Sequence, residues 1–310
     1  MGVRIRMVIS SKKHRSIKEF LYILPFILLV AIFSYYPLYG WMYAFFDYRP
    51  PLPLTIDSFV GLKWFKSMVE NQVKINQILV VLRNTFAISG ITLFFSWLPM
   101  IFAVFLNEIQ FMPFRKIVQT VTTLPNFISW VLVYAIAYCL MNSNGMFNSF
   151  LMRIGAIDSP ILFLRSSENI WFKMWLWLTW KNLGWAAIMY IAAITGIDAE
   201  MYEAAKVDGA TRLQVVFRIT IPSILPTYFV LLLLQISNFL SNGMEQYYVF
   251  QNAFNKDFIQ VLDLYVYNLA MASGAYSVST ALSMLKSVIS IALLFGANTI
   301  SKIVRGETIL

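Results

Sequence analysis

Charge is scarce in this sequence. Only 13% of its 310 residues are Asp, Glu, Lys or Arg, where a soluble domain carries about 25%. Cysteine and histidine occur once each. A single cysteine, Cys139, excludes an internal disulfide, and its place in an apolar run suits core packing. The lone His14 has no metal-ligand companion. No Gly-x-x-x-x-Gly-Lys-Ser/Thr phosphate cradle is present, so nucleotide hydrolysis by such a loop is excluded. Length alone permits two domains, but no linker, repeat or low-complexity segment divides the chain.

What the chain has instead is apolar surface, with 59% hydrophobic and 16% aromatic residues. These residues come in runs long enough to cross a bilayer, which takes about 20. The expectation is an all-α polytopic membrane protein of six transmembrane helices, because backbone polar groups in lipid must be satisfied within the segment. A β-barrel would show short alternating strands in place of these runs. The six runs lie near 20–46, 84–107, 117–141, 170–194, 223–240 and 277–300. Pro25 or Pro37 is expected to let the first tilt or kink.

Lysine and arginine set the orientation. Arg4, Arg6, Lys12, Lys13, Arg15 and Lys18 precede the first run, and Arg115 and Lys116 follow the second. Lys206, Arg212 and Arg218 precede the fifth, and Lys302 and Arg305 follow the sixth. These segments alternate onto one side, assigned to the cytosol, which makes both termini cytosolic. The net charge of +9 is thereby explained by topology and not by nucleic acid, since no cationic cluster is interleaved with stacking aromatics. The basic start and first apolar run imitate a cleaved leader, but the run is long and lacks a small-residue cleavage site. It reads as a retained anchor.

One stretch between two apolar runs is polar, "DAEMYEAAKVDGATRLQVVFRITIP", Asp198–Pro222. Asp198 is placed to cap a helix whose first turn carries Glu200. Gly209 can supply the left-handed residue that stops it. Thr211 and Gln214 have capping-box spacing for a second helix, which Pro222 is expected to end or kink. The product is helix, glycine turn, helix, with Ala204 and Ala205 small enough for another protein to approach closely. A plain helical connector would satisfy the same local rules.

The pattern within that stretch goes further. "EAAKVDG" at Glu203–Gly209, then nine residues, then "ITIP" at Ile219–Pro222 resembles the cytoplasmic signature loop of binding-protein-dependent ABC importer permeases, with Ile221 in place of the usual Leu. "TLPNFISWVLV" (Thr123–Val133), "WKNLGWAAIMYIAAITGID" (Trp180–Asp198), "NGMEQYYVF" (Asn242–Phe250) and "SMLKSVIS" (Ser283–Ser290) are similar to the carbohydrate-uptake branch, in its complex-polysaccharide and oligosaccharide subgroup. The resemblance implies a type I ABC importer permease fold and no catalysis by this chain. It implies a coupling helix that lodges in a cytosolic ATPase subunit, with Glu203, Ala204, Ala205, Asp208 and Gly209 as the contact. It also implies a second, homologous permease (a heterodimer), two ATPase subunits (a homo- or heterodimer) that hold ATP and Mg, an extracellular substrate-binding protein and an oligosaccharide substrate. This chain itself is expected to bind no cofactor or metal.

Ionisable and polar residues inside the spans are functional candidates by default. Lys286 stands mid-way in the sixth run, where a charge costs about 2.5–3.5 kcal/mol on insertion scales. Lys181 and Asn182 stand in the fourth, and the fifth supplies Gln235, Ser237 and Asn238, then Asn242 and Glu245 just beyond its end. The functional reading is a polar lining for sugar hydroxyls, with Trp177, Trp180 or Tyr276 offering ring faces and the two lysines able to favour acidic sugars. The structural alternative is helix-to-helix bonding, with Glu245 or Asn238 as partner to Lys286. Most other tryptophans fit an interfacial belt.

The organisation expected is a cytosolic basic tail at 1–19, a six-helix permease domain at 20–300 with the coupling loop at about 196–222, and a cytosolic tail at 301–310. The location expected is the cytoplasmic membrane of a bacterium or archaeon, the chain being in contact with lipid. Two rival functions are a permease for a non-sugar solute, such as a peptide or polyamine, and an ATP-independent secondary transporter.

Overall fold

The computed structural model describes residues 19–305. Residues 1–18 and 306–310 lie outside the described residues, and with them the N-terminal cations Arg4 to Lys18 and the second half of the expected C-terminal tail, whereas Lys302 and Arg305 belong to the last helix. Among those described, the secondary structure is helical, apart from one isolated bridge between Phe46 and Phe59. The chain packs as two compact units. One comprises residues 19–67 with 269–284, the other residues 68–268 with 285–305.

In the first unit, α1 runs from Glu19 to Phe45. It begins as α-helix, passes through one π-turn at Ala31–Tyr35, and finishes as a 3-10 helix at Tyr36–Phe45. Pro37 enters the first turn of the 3-10 segment. Lacking an N–H, it cannot complete the α-ladder there, and at this proline, where a tilt or kink is expected, the helix changes type. Almost the whole of α1 is exposed and apolar, as befits a helix facing lipid. Its C-terminal end is pinned by polar contacts: Ser277 Oγ donates to the Phe46 carbonyl at 2.7 Å, and Trp64 Nε1 donates to the same carbonyl at 2.9 Å.

The second unit begins in α2 (Lys63–Glu70), which leads into α3 (Gln72–Phe94). The Asn71 side chain caps α3 by accepting from Val73 and Lys74 N–H. The expected start at Asn84 is therefore inside a helix. Asn84 and Thr85 are fully buried there, with Asn84 Nδ2 donating to the Asp257 and Gln260 carbonyls. After a break at Phe95–Trp97, α4 follows at Leu98–Glu108.

The third expected span is not one straight helix. Helix α5 (Met112–Thr123) continues as a 3-10 turn at Leu124–Phe127, and α6 restarts at Trp130–Met141, capped by Ser129. A bend of 108° separates Met112–Phe127 from Trp130–Arg153, the latter including the short α7 (Met146–Arg153). Pro125 explains the break, since it removes a helical donor and crowds the preceding turn. Helix α8 (Ile170–Thr195) is the long central element, and it bends by 69° into α9 (Ala199–Val207).

The fifth span also differs from expectation. Helix α10 runs unbroken from Arg212 to Ser237, and Pro222 neither ends nor splits it. One π-turn at Val216–Thr220 absorbs the proline, which then sits in the first turn of the continuing α-helix, where its missing N–H is cheap. Short helices α11 (Glu245–Phe250), α12 (Lys256–Ile259) and α13 (Leu262–Met271) precede α14 (Tyr276–Arg305). Among the described residues four helices, Glu19–Phe45, Gln72–Glu108, Arg212–Ser237 and Tyr276–Thr299, are long and apolar enough to cross a membrane, and counting each bent pair as one span gives up to six.

Two buried clusters hold the second unit together. Met100, Ala103 and Val104 of α4, Ala187, Tyr190 and Ile194 of α8, and Val216 and Ile224 of α10 form one. Ile88, Val133, Met174, Tyr247, Phe250 and Leu264 belong to the other.

Candidate functional site

The polar hairpin forms as its punctuation requires. Asp198 Oδ1 accepts from the Glu200 amide at 3.0 Å, satisfying one free donor at the start of α9. At the far end Gly209 adopts φ +72°, and the Ala210 N–H reaches back to the Ala205 carbonyl at 2.9 Å, closing a Schellman turn. Open space surrounds the position a Gly209 Cβ would take, so the glycine answers to backbone conformation alone. Thr211 and Gln214 complete the reciprocal capping box, with Thr211 N–H donating to Gln214 Oε1 at 2.7 Å.

The two arms are tied together. Tyr202 and Thr220 hydroxyls lie 3.2 Å apart, and Ile194 and Val216, on either side of the hairpin, share one buried cluster. Glu203, Ala204, Asp208 and Gly209 are exposed and Ala205 is half-buried. Sequence reasoning missed the apolar groups beside them. Val207 is 88% exposed, Leu213 70% and Phe217 65%, with Met201 also exposed. The signal was legible as large apolar side chains inside an otherwise polar segment.

The second constellation lies where α10 stops. The helix ends at Ser237, and residues 238–244 are non-helical until α11 begins at Glu245. Non-helical backbone beside spanning helices is tolerated where protein or a polar cavity satisfies it. Here the Gly243 N–H donates to Asp263 Oδ2 at 2.8 Å, with Gly243 at φ +72°. Asn242 Nδ2 donates to Ser89 Oγ at 2.8 Å, and Ser89 in turn donates to the Phe239 carbonyl.

Lys286 of α14 makes an ion pair with Asp263 of α13, each side chain 19% exposed. Asp263 is therefore its partner, and not Glu245 or Asn238. Glu245 is exposed in the first turn of α11, while the exposed Asn238 turns its Nδ2 back to the Leu234 carbonyl of its own helix. Asp263 escaped the sequence reading because it sits in "LDLYVY", outside the six expected runs. Among the described residues five buried side-chain oxygens have no hydrogen-bond partner: Asn242 Oδ1, Gln246 Oε1, Tyr247 OH, Gln251 Oε1, and Ser290 Oγ one turn beyond Lys286. Burial, and then the Asp263 carboxylate, pushes the Tyr247 phenol well above its usual range.

The remaining candidates stand elsewhere. Lys181 is buried in α8, and its ammonium donates to the Pro125, Asn126 and Ile128 carbonyls at 3.1, 2.7 and 2.7 Å. The neighbouring Asn182 Oδ1 accepts from Asn126 Nδ2 at 2.9 Å. Trp180 packs edge-on to Trp177, and both line an apolar cavity of about 440 Å³ with Phe163, Lys173, Met174 and Phe250. Tyr276 belongs to the first unit, where its ring meets Tyr48 edge-on. The candidates thus fall into separate groups. Asn242 and Lys286 share the neighbourhood of Asp263, whereas Lys181 and Asn182 serve the α5–α6 break.

Apolar helices long enough to span a bilayer, joined through an exposed polar hairpin, suit a membrane component. Comparison with known proteins agrees. Residues 97–304 match the family described as "Binding-protein-dependent transport system inner membrane component", and the chain belongs to that family. It is 36% identical to the LplB protein of Bacillus subtilis over 287 residues, covering 91% of this chain and 88% of that protein. It is 35% identical to the polygalacturonan/rhamnogalacturonan transport system permease YteP of the same organism, covering 91% and 87%. A solved bacterial alginate ABC transporter, in complex with a periplasmic protein bound to an alginate pentasaccharide, superimposes with a TM-score of 0.83 at 30% identity. That alignment covers 96% of this chain and 99% of the solved one. The fold is that of a type I ABC importer permease, an inner-membrane transport component and not an enzyme.

Proposed function

We propose that this permease subunit imports oligosaccharides derived from polysaccharides, by alternating access driven from the α8–α10 hairpin. The hairpin is the observation that carries the reading: a short helix, capped at both ends and rooted in one core cluster, presents Glu203, Ala204, Asp208 and Gly209 to water, with Ala205 half-buried among them. Such a unit moves as one body, so force applied to it reaches α8 and α10 together. Its exposed neighbours Val207, Leu213 and Phe217 supply apolar area for a cytosolic ATPase. The chain is read as crossing the membrane six times with both termini cytosolic. It pairs with a homologous permease and two ATPase subunits that hold ATP and Mg, and an external binding protein delivers the substrate.

The path is read as running past residues 238–245 and Lys286. Asn242 and Ser290 offer unpartnered acceptors there, and Asn238 and Glu245 are exposed. Hydroxyl-rich solutes fit such groups because each sugar hydroxyl both donates and accepts. Lys286 is balanced by Asp263, and Lys181 is engaged by backbone, so neither leaves a bare ammonium for a carboxylate. The names of two relatives, a polygalacturonan/rhamnogalacturonan permease and an alginate transporter, favour a polysaccharide-derived substrate.

The test is reconstitution with the partner permease, ATPase and binding protein, measuring ATP hydrolysis and uptake of oligosaccharides of graded length. Hydrolysis stimulated by loaded binding protein, and lost in Glu203→Ala or Gly209→Pro with the membrane fold intact, is the expected result. Uptake that follows an ion gradient without ATP would instead point to a secondary transporter. Stimulation by peptides or polyamines alone would refute the sugar assignment.

A further inference from the structure

We infer that the break between α5 and α6 is a built site for a primary ammonium group, and that Lys181 of α8 fills it from within the chain. Through this contact α8 holds the 108° bend. Lys181 is thus a positioning residue that links the hairpin to the bent third span.

The geometry begins with the loose ends of a helix. A helix terminus leaves carbonyls without intrahelical donors, and it carries partial negative charge. Pro125, which has no N–H, ends the α-ladder just before the break, and its own carbonyl keeps one backbone donor, the Ile128 N–H at 3.3 Å. In a membrane-buried segment water is not at hand to satisfy these groups. The Pro125, Asn126 and Ile128 carbonyls converge on the Lys181 ammonium at 2.7–3.1 Å. An ammonium has three donors, and each meets one carbonyl. The ring of Trp130 lies 5.6 Å from the same nitrogen, within cation–π range. Lysine suits this cup because its donors are arranged around a compact point, whereas the planar fork of arginine suits flat, paired acceptors.

Adjacent residues of α8 reinforce the contact. Asn182 accepts from Asn126. At Gly184 the α5 backbone approaches so closely that a Cβ would lie 2.3 Å from the Thr122 carbonyl oxygen. Three residues of α8, Lys181, Asn182 and Gly184, therefore meet the chain at 122, 125, 126 and 128. From Lys181 to Thr195 α8 rises about 21 Å as one helix, and beyond it Gly196–Asp198 leads directly to the hairpin. A displacement of the hairpin moves α8, and the ammonium cup hands that movement to the bend.

The experiment replaces the internal ammonium with one from solution. Purified Lys181→Ala is heated in detergent with n-propylammonium, whose chain restores the missing methylenes and the charge, and in parallel with tetramethylammonium, which cannot donate. The expected result is a lowered unfolding midpoint for the variant. Propylammonium at millimolar concentration restores it, tetramethylammonium does not, and wild type, whose cup is filled, responds to neither. In the assembled importer, Lys181→Ala and Lys181→Met hydrolyse ATP near the wild-type rate but take up substrate roughly tenfold less, and propylammonium rescues the alanine variant alone.

Wild-type behaviour of Lys181→Ala in both assays, full uptake by Lys181→Met, or equal stabilisation of wild type and variant by the amine would each overturn the inference. If Lys181→Ala does not accumulate, propylammonium supplied during growth should recover it, and failure to recover it counts against the site. The unfolding assay needs neither substrate nor ATPase, so it stands or falls apart from the oligosaccharide assignment.

Discussion

Lys286 and Asp263 form an ion pair between the last long helix and the short helix before it, and the second oxygen of the same carboxylate holds the Gly243 amide. One acid thus neutralises a lysine within an apolar helix and also fixes the turn at which the preceding span stops. Removing either partner leaves the other charge without compensation in a mostly buried setting. Asp263→Ala should destabilise the protein by about 3 kcal/mol. The double variant Asp263→Asn with Lys286→Gln should recover much of that loss. Thermal unfolding of the four species in detergent measures the coupling, and additive losses would show that the pair is not an energetic unit.

Gly209 at φ +72° predicts a conformational effect distinct from a steric one. Gly209→Ala meets open space, so its penalty is that of a left-handed non-glycine residue, about 1–2 kcal/mol. Gly209→Asn should be milder, because asparagine tolerates that region. Hydrogen exchange across residues 199–215 is the direct readout. Faster exchange in the alanine variant than in the asparagine variant is expected, and equal rates would remove backbone strain as the cause.

The apolar groups beside the signature are exposed by 65–88%. Each of Val207, Leu213 and Phe217 would contribute about 1.5–3 kcal/mol if fully buried against a partner. Leu213→Asp should therefore leave permease accumulation and unfolding unchanged while weakening capture of the ATPase by tenfold or more at about 1.4 kcal/mol per decade. Undiminished capture by the triple variant Val207→Ser, Leu213→Asp, Phe217→Ser would remove this surface from the interface.

Gly184 is a close-approach glycine. A methyl group there must displace the Thr122 backbone, which cannot rotate away as a side-chain tip could. Gly184→Ala should cost about 1–3 kcal/mol or more, as overpacking does, and should disturb the α5–α8 contact first. A lowered unfolding midpoint, with faster proteolysis at residues 124–129, is the expected pattern. Wild-type stability would mean that the two helices are free to separate.

The hairpin was legible because its instructions are local. Asp198, Gly209, Thr211 and Gln214 each act on backbone within a few residues, and each does what its chemistry specifies. Pro222 shows the limit of that logic. A proline near a helix start is tolerated once a π-turn takes up the register, and only packing of Val216 and Ile224 into the α4–α8 cluster selects that solution. Pro125 went the other way, its helix breaking where Lys181 of α8 donates to the carbonyls of residues 125, 126 and 128.

Composition and run length determined an apolar helical protein with several spans, since a chain with so little charge cannot cover a water-exposed surface with polar groups. Motif spacing likewise determined the hairpin and the family resemblance. The partners of the span lysines were decided by tertiary structure alone. Lys286 and Lys181 look alike in sequence, each a single charge in an apolar run, yet one meets a carboxylate and the other a cup of backbone carbonyls. Nothing local distinguishes them, because the groups that answer each charge lie 23 and more than 50 residues away and are brought near only when the helices pack.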